Sequence, residues 1–426
     1  MEKKYSISYF WRIVLGSLAV FFSLRTFGQL INNIAYIPSY DKNFSITITG
    51  YLAAVLGIAT FVMLALFIFS FNKNTRLQLH IIFWMNAVSL FVYALNSLLQ
   101  YFLIDNEASL PTYILLISSL FINAVLFVIT AVFIKKKASE KSITLLSVLI
   151  IISSVILNFP FLLQSVFSLI LPSVIFPLLL LNIKSANENE EKDEWDSFLQ
   201  SPNVKQRIFF GFSAVLLAFW RLESIVNIVT RRYIVQYPEI VIAQESDLLI
   251  FNLLSIIITI LEAVALVLLA VYIFNLHKNT RKKLLTNALF LQGFAMVANF
   301  AFYLVRYSLA EELYDFMRLY CNTIFLSATS SFFVAIWFIL FALVNKKRVA
   351  FNKDERLPAA LILIVALIPV VFFSIWDISQ SKYFIATKLL ERIVSFLPAA
   401  IFPLLFLLYP KDKTELEVIT EVSTDE

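Results

Sequence analysis

In 426 residues the chain has one cysteine, six glycines and two histidines, and only 15% of its side chains are charged. The lone Cys321, set in an apolar segment, excludes an intrachain disulfide and a thiolate metal cluster. His80 and His277 fall at helix ends without His-Glu-x-x-His spacing. No Ser/His constellation, haem ligand pair, phosphate loop or dinucleotide glycine fingerprint occurs either. Neither a metal nor a cofactor is expected, and the chain does not read as an enzyme; a lipid-headgroup transferase with a diffuse site is the one enzymatic alternative. Scarcity of charge also excludes a water-solvated exterior. With 60% apolar residues and mean hydropathy +0.84, a chain of this length has no soluble core large enough to hide them, so the lipid bilayer has to cover them. The expected class is an all-α polytopic integral membrane protein.

Apolar windows long enough to cross a bilayer recur twelve times: 10–31, 48–71, 79–104, 111–134, 143–159 and 161–181, then 208–230, 248–274, 284–309, 318–344, 357–375 and 388–409. The run 143–181 is almost continuous, with Asn158-Phe159-Pro160 as its turn signal. Met1-Glu2-Lys3-Lys4 imitates a secretion signal, but Arg12 and Arg25 interrupt the apolar run behind it and no small-x-small cleavage site appears, so a retained first span is expected. The organisation reads as a first six-helix repeat (1–183), a polar cytoplasmic linker (184–207) containing Asn187-Glu188-Asn189-Glu190-Glu191-Lys192-Asp193-Glu194, a second six-helix repeat (208–409) and a cytoplasmic tail (410–426).

The repeat is written in the residues. Leu171-Pro172-Ser173-Val174-Ile175-Phe176-Pro177-Leu178-Leu179 returns as Leu397-Pro398-Ala399-Ala400-Ile401-Phe402-Pro403-Leu404-Leu405, and Lys73-Asn74-Thr75-Arg76 as Lys278-Asn279-Thr280-Arg281. Ser118-Ser119 and Phe121 correspond to Ser330-Ser331 and Phe333, and Ser17 and Arg25 recur at the spacing of Ser213 and Arg221. Six spans per copy is an even number, so the copies enter the membrane the same way up. Parallel repeats of this kind put a cavity between two similar halves that can rock about a central site. Lys and Arg concentrate in the loops that are cytoplasmic if both termini are inside, while the outer loops hold Lys42, Arg231, Arg232, Lys382 and Lys388. The net charge of +5 and pI near 9.0 then express topology and attraction to anionic inner-leaflet lipid, with no nucleic-acid partner implied. The proline pairs of the repeated motif are expected to distort the last span of each half, either as a hinge or as a fixed packing kink. The Lys-Asn-Thr-Arg turns either lock the halves together or only set topology.

Buried ionisable groups are the candidate site. Counted at about 1.5 Å per residue from the cytoplasmic side, Arg25, Arg221 and Glu262 all lie about 18–22 Å deep, where a charge costs at least about 3 kcal/mol and requires a partner. Arg221 and Glu262 are on consecutive helices and are expected to pair; no Asp or Glu is available to Arg25 in the second span. Arg25 and Arg221 are the expected cations for a small anionic solute, with Glu262 competing for Arg221. The competing expectation is that both arginines reach the outer headgroups and Glu262 sits in a structural ion pair. Glu223, on another face from Arg221, is expected to meet Arg392 or the outer surface. Asn86, Asn96, Gln100, Asn287, Gln292 and Asn299 either line an aqueous path or bind helices together.

In plan the chain resembles the major facilitator superfamily: twelve spans, two parallel six-helix halves, both termini inside and a basic turn after the second span of each half. The resemblance implies a secondary carrier and stops at topology. The stretches Asn72-Lys73-Asn74-Thr75-Arg76 and His277-Lys278-Asn279-Thr280-Arg281 lack that family's glycines and aspartate, and six glycines in all argue against closely approaching helices. The expected function is a transporter or permease for a small, anionic solute. The alternative is a non-transporting sensor, assembly factor or scaffold that binds lipid or a membrane-protein partner.

Overall fold

The computed structural model describes residues 5–36, 44–69, 75–103, 110–136, 139–158, 169–185, 204–230, 245–274, 281–311, 314–347, 356–380 and 385–408. The acidic run of the linker, most of both Lys-Asn-Thr-Arg turns, and Phe159-Pro160 lie outside them. Among the described residues the chain forms twelve helices and two short strands, divided between two compact units, Met1–Ser201 and Pro202–Glu426. Eight of the helices are long and apolar enough to cross a membrane, and four apolar segments are shorter: Lys141–Leu157, Leu171–Asn182, Ala359–Ile375 and Phe396–Leu408. This is the character of a multi-pass α-helical membrane protein.

The first unit runs β1 (Tyr5–Ile7), α1 (Tyr9–Tyr36), α2 (Phe44–Phe69), α3 (Thr75–Leu103), α4 (Leu110–Lys135), α5 (Glu140–Leu157), α6 (Leu171–Asn182) and β2 (Ile183–Ser185). Each helix packs on the next in sequence, and α6 returns to α1, closing a ring. Its ends are tied by an antiparallel ladder that pairs Tyr5 with Ser185, Ser6 with Lys184 and Ile7 with Ile183. Three-residue strands carry no readable period, so this departure from an all-α chain was not visible in the sequence. Pairing gives the backbone groups at both ends hydrogen-bond partners where the helical ladders stop.

The second unit comprises α7 (Val204–Thr230), α8 (Glu245–Phe274), α9 (Arg281–Glu311), α10 (Tyr314–Lys347), α11 (Arg356–Gln380) and α12 (Ile385–Leu408). Its helices also pack in sequence order, with α12 returning to α7. Helix α7 begins at Val204, inside the stretch expected to be linker, because Lys205, Gln206 and Arg207 supply a helical first turn ahead of the apolar run.

The repeated proline motif resolves differently in the two units. Pro172 occupies the first turn of α6, where its missing N–H has no intrahelical acceptor to lose, so it starts a helix and does not bend one. Pro177 lies inside α6, and both Pro398 and Pro403 lie inside α12. What the copies share is the phenylalanine between the prolines. Phe176 is fully buried, with ring centroids 5.3 Å from Phe127, 5.6 Å from Phe83 and 5.9 Å from Phe61. Phe402 is equally buried and lies 5.6 Å from Phe338, beside Phe341 packed on Phe406 at 4.8 Å. Edge-to-face rings of this kind anchor each bundle's interior.

Glycine is scarce but placed. A Cβ on Gly16 of α1 would sit 2.3 Å from the Phe69 ring at the end of α2, and one on Gly211 of α7 would sit 2.6 Å from the Phe274 ring at the end of α8. Only hydrogen fits under either ring. Three of the six glycines therefore do permit close helix approach: Gly16 and Gly211 at the same place in each unit, and Gly293 of α9, whose Cβ would sit 2.9 Å from Ile339 of α10.

Candidate functional site

These glycine contacts give a common origin for comparing the units. Arg12-Ile13 precede Gly16 as Arg207-Ile208 precede Gly211, and both arginines are buried. Counting ten residues on from the glycine reaches Thr26 in α1 and Arg221 in α7. Counting twelve back from the phenylalanine reaches Gly57 in α2 and Glu262 in α8. Along α3, the buried pairs Ile82-Phe83 and Asn86-Ala87 alternate with exposed Ile81 and Val88. Ala288-Leu289, Gln292-Gly293, Asn287 and Phe294 repeat that rhythm in α9, so Asn86 holds the place of Gln292 in it. By contact, Thr26 and Gly57 of the first unit thus correspond to Arg221 and Glu262 of the second; Asn86 matches Gln292 in burial rhythm only, and the α3 side chain at Gly57 is Ser89.

The second-unit set is charged and convergent. Arg221 Nε lies 2.6 Å from Glu262 Oε2; the arginine side chain is 16% exposed and the glutamate 3%. Gln292, fully buried, brings its amide to the same carboxylate from α9 without a directed hydrogen bond. The Arg221 guanidinium also lies 4.7 Å from the centroid of the Trp220 ring. Glu262 stands twelve residues before the end of the Leu249–Phe274 span, about 18 Å inside it at 1.5 Å per residue. Three consecutive helices, α7, α8 and α9, each contribute one polar group to a single point at mid-span.

In the first unit the same place is neutral and tight. A Cβ on Gly57 would make ordinary contacts at 3.6 Å with Ser89 Oγ and with Thr26 Cγ2, so Thr26 faces Gly57 as Arg221 faces Glu262. Thr26 turns its hydroxyl back to the Phe22 carbonyl at 2.7 Å. Arg25 is half-buried on α1 and engaged with its surroundings. Measured from the glycine, Arg25 is one residue short of the position that matches Arg221, a rotation of about 100° around the helix. The equal Ser17–Arg25 and Ser213–Arg221 spacings conceal this offset, which only the glycine contacts reveal.

Other polar groups join helices. Asn96 accepts from Thr49 at 2.9 Å, Asn299 donates to Ser331 at 2.9 Å, Asn158 donates to Ser119 at 2.8 Å, and Ser330 donates to the Val365 carbonyl at 2.6 Å. Asn123 accepts from Ser153 at 2.6 Å and from Ser154 at 3.3 Å. His80 Nδ1 lies 2.9 Å from the Ala131 carbonyl. Asn287 is exposed. Glu223 is half-buried and engaged; the Arg392 side chain expected near it lies outside the described residues.

One buried cation among aromatic rings escaped sequence reasoning. Arg306 of α9 donates to the Tyr320 hydroxyl, with its guanidinium carbon 5.0 Å from the Tyr320 ring centroid and 5.6 Å from that of Phe373. Tyr303 and Tyr307 pack around the same cluster, and the Cys321 thiol donates to the Ala310 carbonyl at 3.4 Å. Aromatic faces hold this charge, worth about 2 kcal/mol when desolvated. The signal was available as Tyr303, Tyr307 and Tyr320 around one arginine, but no fixed spacing marks it.

The chain matches no protein-family model, no curated protein and no solved structure.

Proposed function

We propose that this chain is a secondary carrier, moving a small anionic solute across the cytoplasmic membrane by alternating motion of its two six-helix units, with twelve crossings and both termini inside. Arg221 recognises the anion through its planar donor fork, and Glu262 occupies Arg221 when no anion is present. Arg25 belongs to the proposal as a second cation on α1, outside the register of that pair. One observation carries the proposal: Thr26 and Gly57 hold the positions of Arg221 and Glu262, with uncharged Ser89 of α3 beside them. In the first unit the contact between α1 and α2 at this level is made by Thr26 and Gly57 with no ion pair, although Arg25 stands one residue away on α1, so an arginine–glutamate pair is not a requirement of that contact. A buried ion pair is weak as a stabilising device and frequent as a functional one. The same ring order in both units supports the duplication from which alternating motion derives.

Uptake by purified protein in vesicles, measured with radiolabelled lactate, gluconate and inorganic phosphate, tests the proposal. Arg221→Ala protein that inserts normally is expected to lose at least tenfold of the uptake. Wild-type rates in Arg221→Ala and Arg25→Ala would remove both from the site. A non-transporting scaffold is the second reading, favoured by the closure of Arg221 onto Glu262 in an ion pair within the second unit. No uptake above empty vesicles for any of these anions would select it.

A further inference from the structure

We propose that Glu262 is the proton-carrying group of this carrier, and that one proton accompanies each monoanion. The inference rests on the carrier reading and follows from the charge balance of a single buried point. With no solute, Arg221 and Glu262 form a neutral pair at 2.6 Å, deep in the span. A monoanion that took Arg221 from an ionised Glu262 would leave one uncompensated negative charge at mid-membrane, where a lone charge is strongly disfavoured. A proton on the Glu262 carboxylate removes that charge. The carboxylate then becomes a neutral acid, Arg221 turns from Glu262 to the anion, and the loaded site is again neutral. The empty and loaded states carry the same net charge only at one proton per monoanion.

The surroundings leave this role to Glu262. Helices α7 and α9 pack against α8. From α7, Arg221 meets the carboxylate; Glu223 lies two residues away on another face, and Arg207 near the start of the helix. From α9 the approaching group is the uncharged amide of Gln292, while Arg306 is engaged with Tyr320. Gln292 serves both forms of Glu262, since an amide donates to a carboxylate through its N–H and accepts from a carboxylic acid through its oxygen. The first unit has glycine at this position, so it contributes no second proton.

Vesicles containing the full chain, loaded at pH 8 and diluted to pH 6 with radiolabelled lactate, gluconate or inorganic phosphate, read the coupling directly. Accumulation of the transported monoanion, read against empty vesicles, should approach about 100-fold, the ratio of proton activities, by the one-to-one coupling of the two ligands; for phosphate this ratio applies to the monoanionic form alone. It should not change when a potassium diffusion potential is imposed. Glu262→Gln protein, checked for monodispersity, should lose net uptake at least tenfold, because its empty site keeps the Arg221 charge and cannot return. It should retain anion exchange, with little pH dependence. Wild-type uptake that follows the potential and ignores the proton gradient, or Glu262→Gln protein that still accumulates solute with the gradient, overturns the inference and leaves the carrier reading standing. Absence of uptake of every probe by wild-type protein overturns the carrier reading and this inference with it.

Discussion

Replacing Arg221 and Glu262 singly and together tests whether their ion pair is dispensable to the fold. In the first unit Thr26 and Gly57 meet at the matching place, 3.6 Å from the Gly57 Cβ position to the threonine methyl. If that equivalence holds, Arg221→Met with Glu262→Leu, which keeps side-chain volume and removes both charges, should change unfolding free energy by no more than about 1 kcal/mol. Each single replacement instead strands one charge. Glu262→Leu leaves a guanidinium at mid-span, and Arg221→Met leaves a carboxylate that is 3% exposed; a lone central charge costs about 3 kcal/mol on insertion scales. The singles should therefore each lose about 3 kcal/mol, and the pair should show a coupling energy of about 5 kcal/mol. The assay is equilibrium unfolding in mixed micelles followed by circular dichroism, with all four proteins in one detergent and at one pH. A double variant as unstable as the sum of the singles would show that the bundle does need its charges, and would withdraw the chief support for a site at Arg221. Singles within about 1 kcal/mol of wild type would show that water or headgroups already reach the pair.

The packing leads to four further expected outcomes. Gly211→Ala should destabilise the second unit by about 1–3 kcal/mol through collision with the Phe274 ring, read in the same micelle assay, and Phe274→Leu should relieve it. Gly28→Ala, whose Cβ would meet nothing within 4 Å, should be neutral or slightly stabilising, since alanine favours a helix over glycine by about 1 kcal/mol. Phe176→Ala and Phe402→Ala should each cost about 3–5 kcal/mol, because both rings are fully buried in the centre of their units; a loss under about 1 kcal/mol would remove them from the core. Cys321, fully buried and bonded to the Ala310 carbonyl, should resist maleimide labelling in native membranes and react once the protein is denatured; rapid native labelling would place it on a water-accessible face.

Much of the helical plan was legible because hydropathy is a one-dimensional property. An apolar run of bilayer length reports its own helix: a helix falls in each of the twelve expected windows, and eight of these helices are long and apolar enough to cross a membrane. The proline motif was legible as a repeat and only half legible as structure. Its text is nearly the same in both copies, yet Pro172 lies in the first turn of α6 while Pro398 lies inside α12. The aromatic cradle of Arg306 and the β1–β2 ladder were not legible, since each joins residues whose spacing obeys no period.

Composition and hydropathy by themselves determined that the protein lives in lipid and folds as helices, and the depth of charge along those helices put Arg221 and Glu262 at one level. Facing is a different matter. One residue along a helix turns a side chain by about 100°, so whether a group meets its neighbour depends on register between helices, which the spacing of matching letters does not give. Tertiary contacts decided it: the approach of Thr26 to Gly57 placed Thr26 opposite the second helix of the first unit, and the packing of α9 on α8 brought Gln292 to the charge pair of the second.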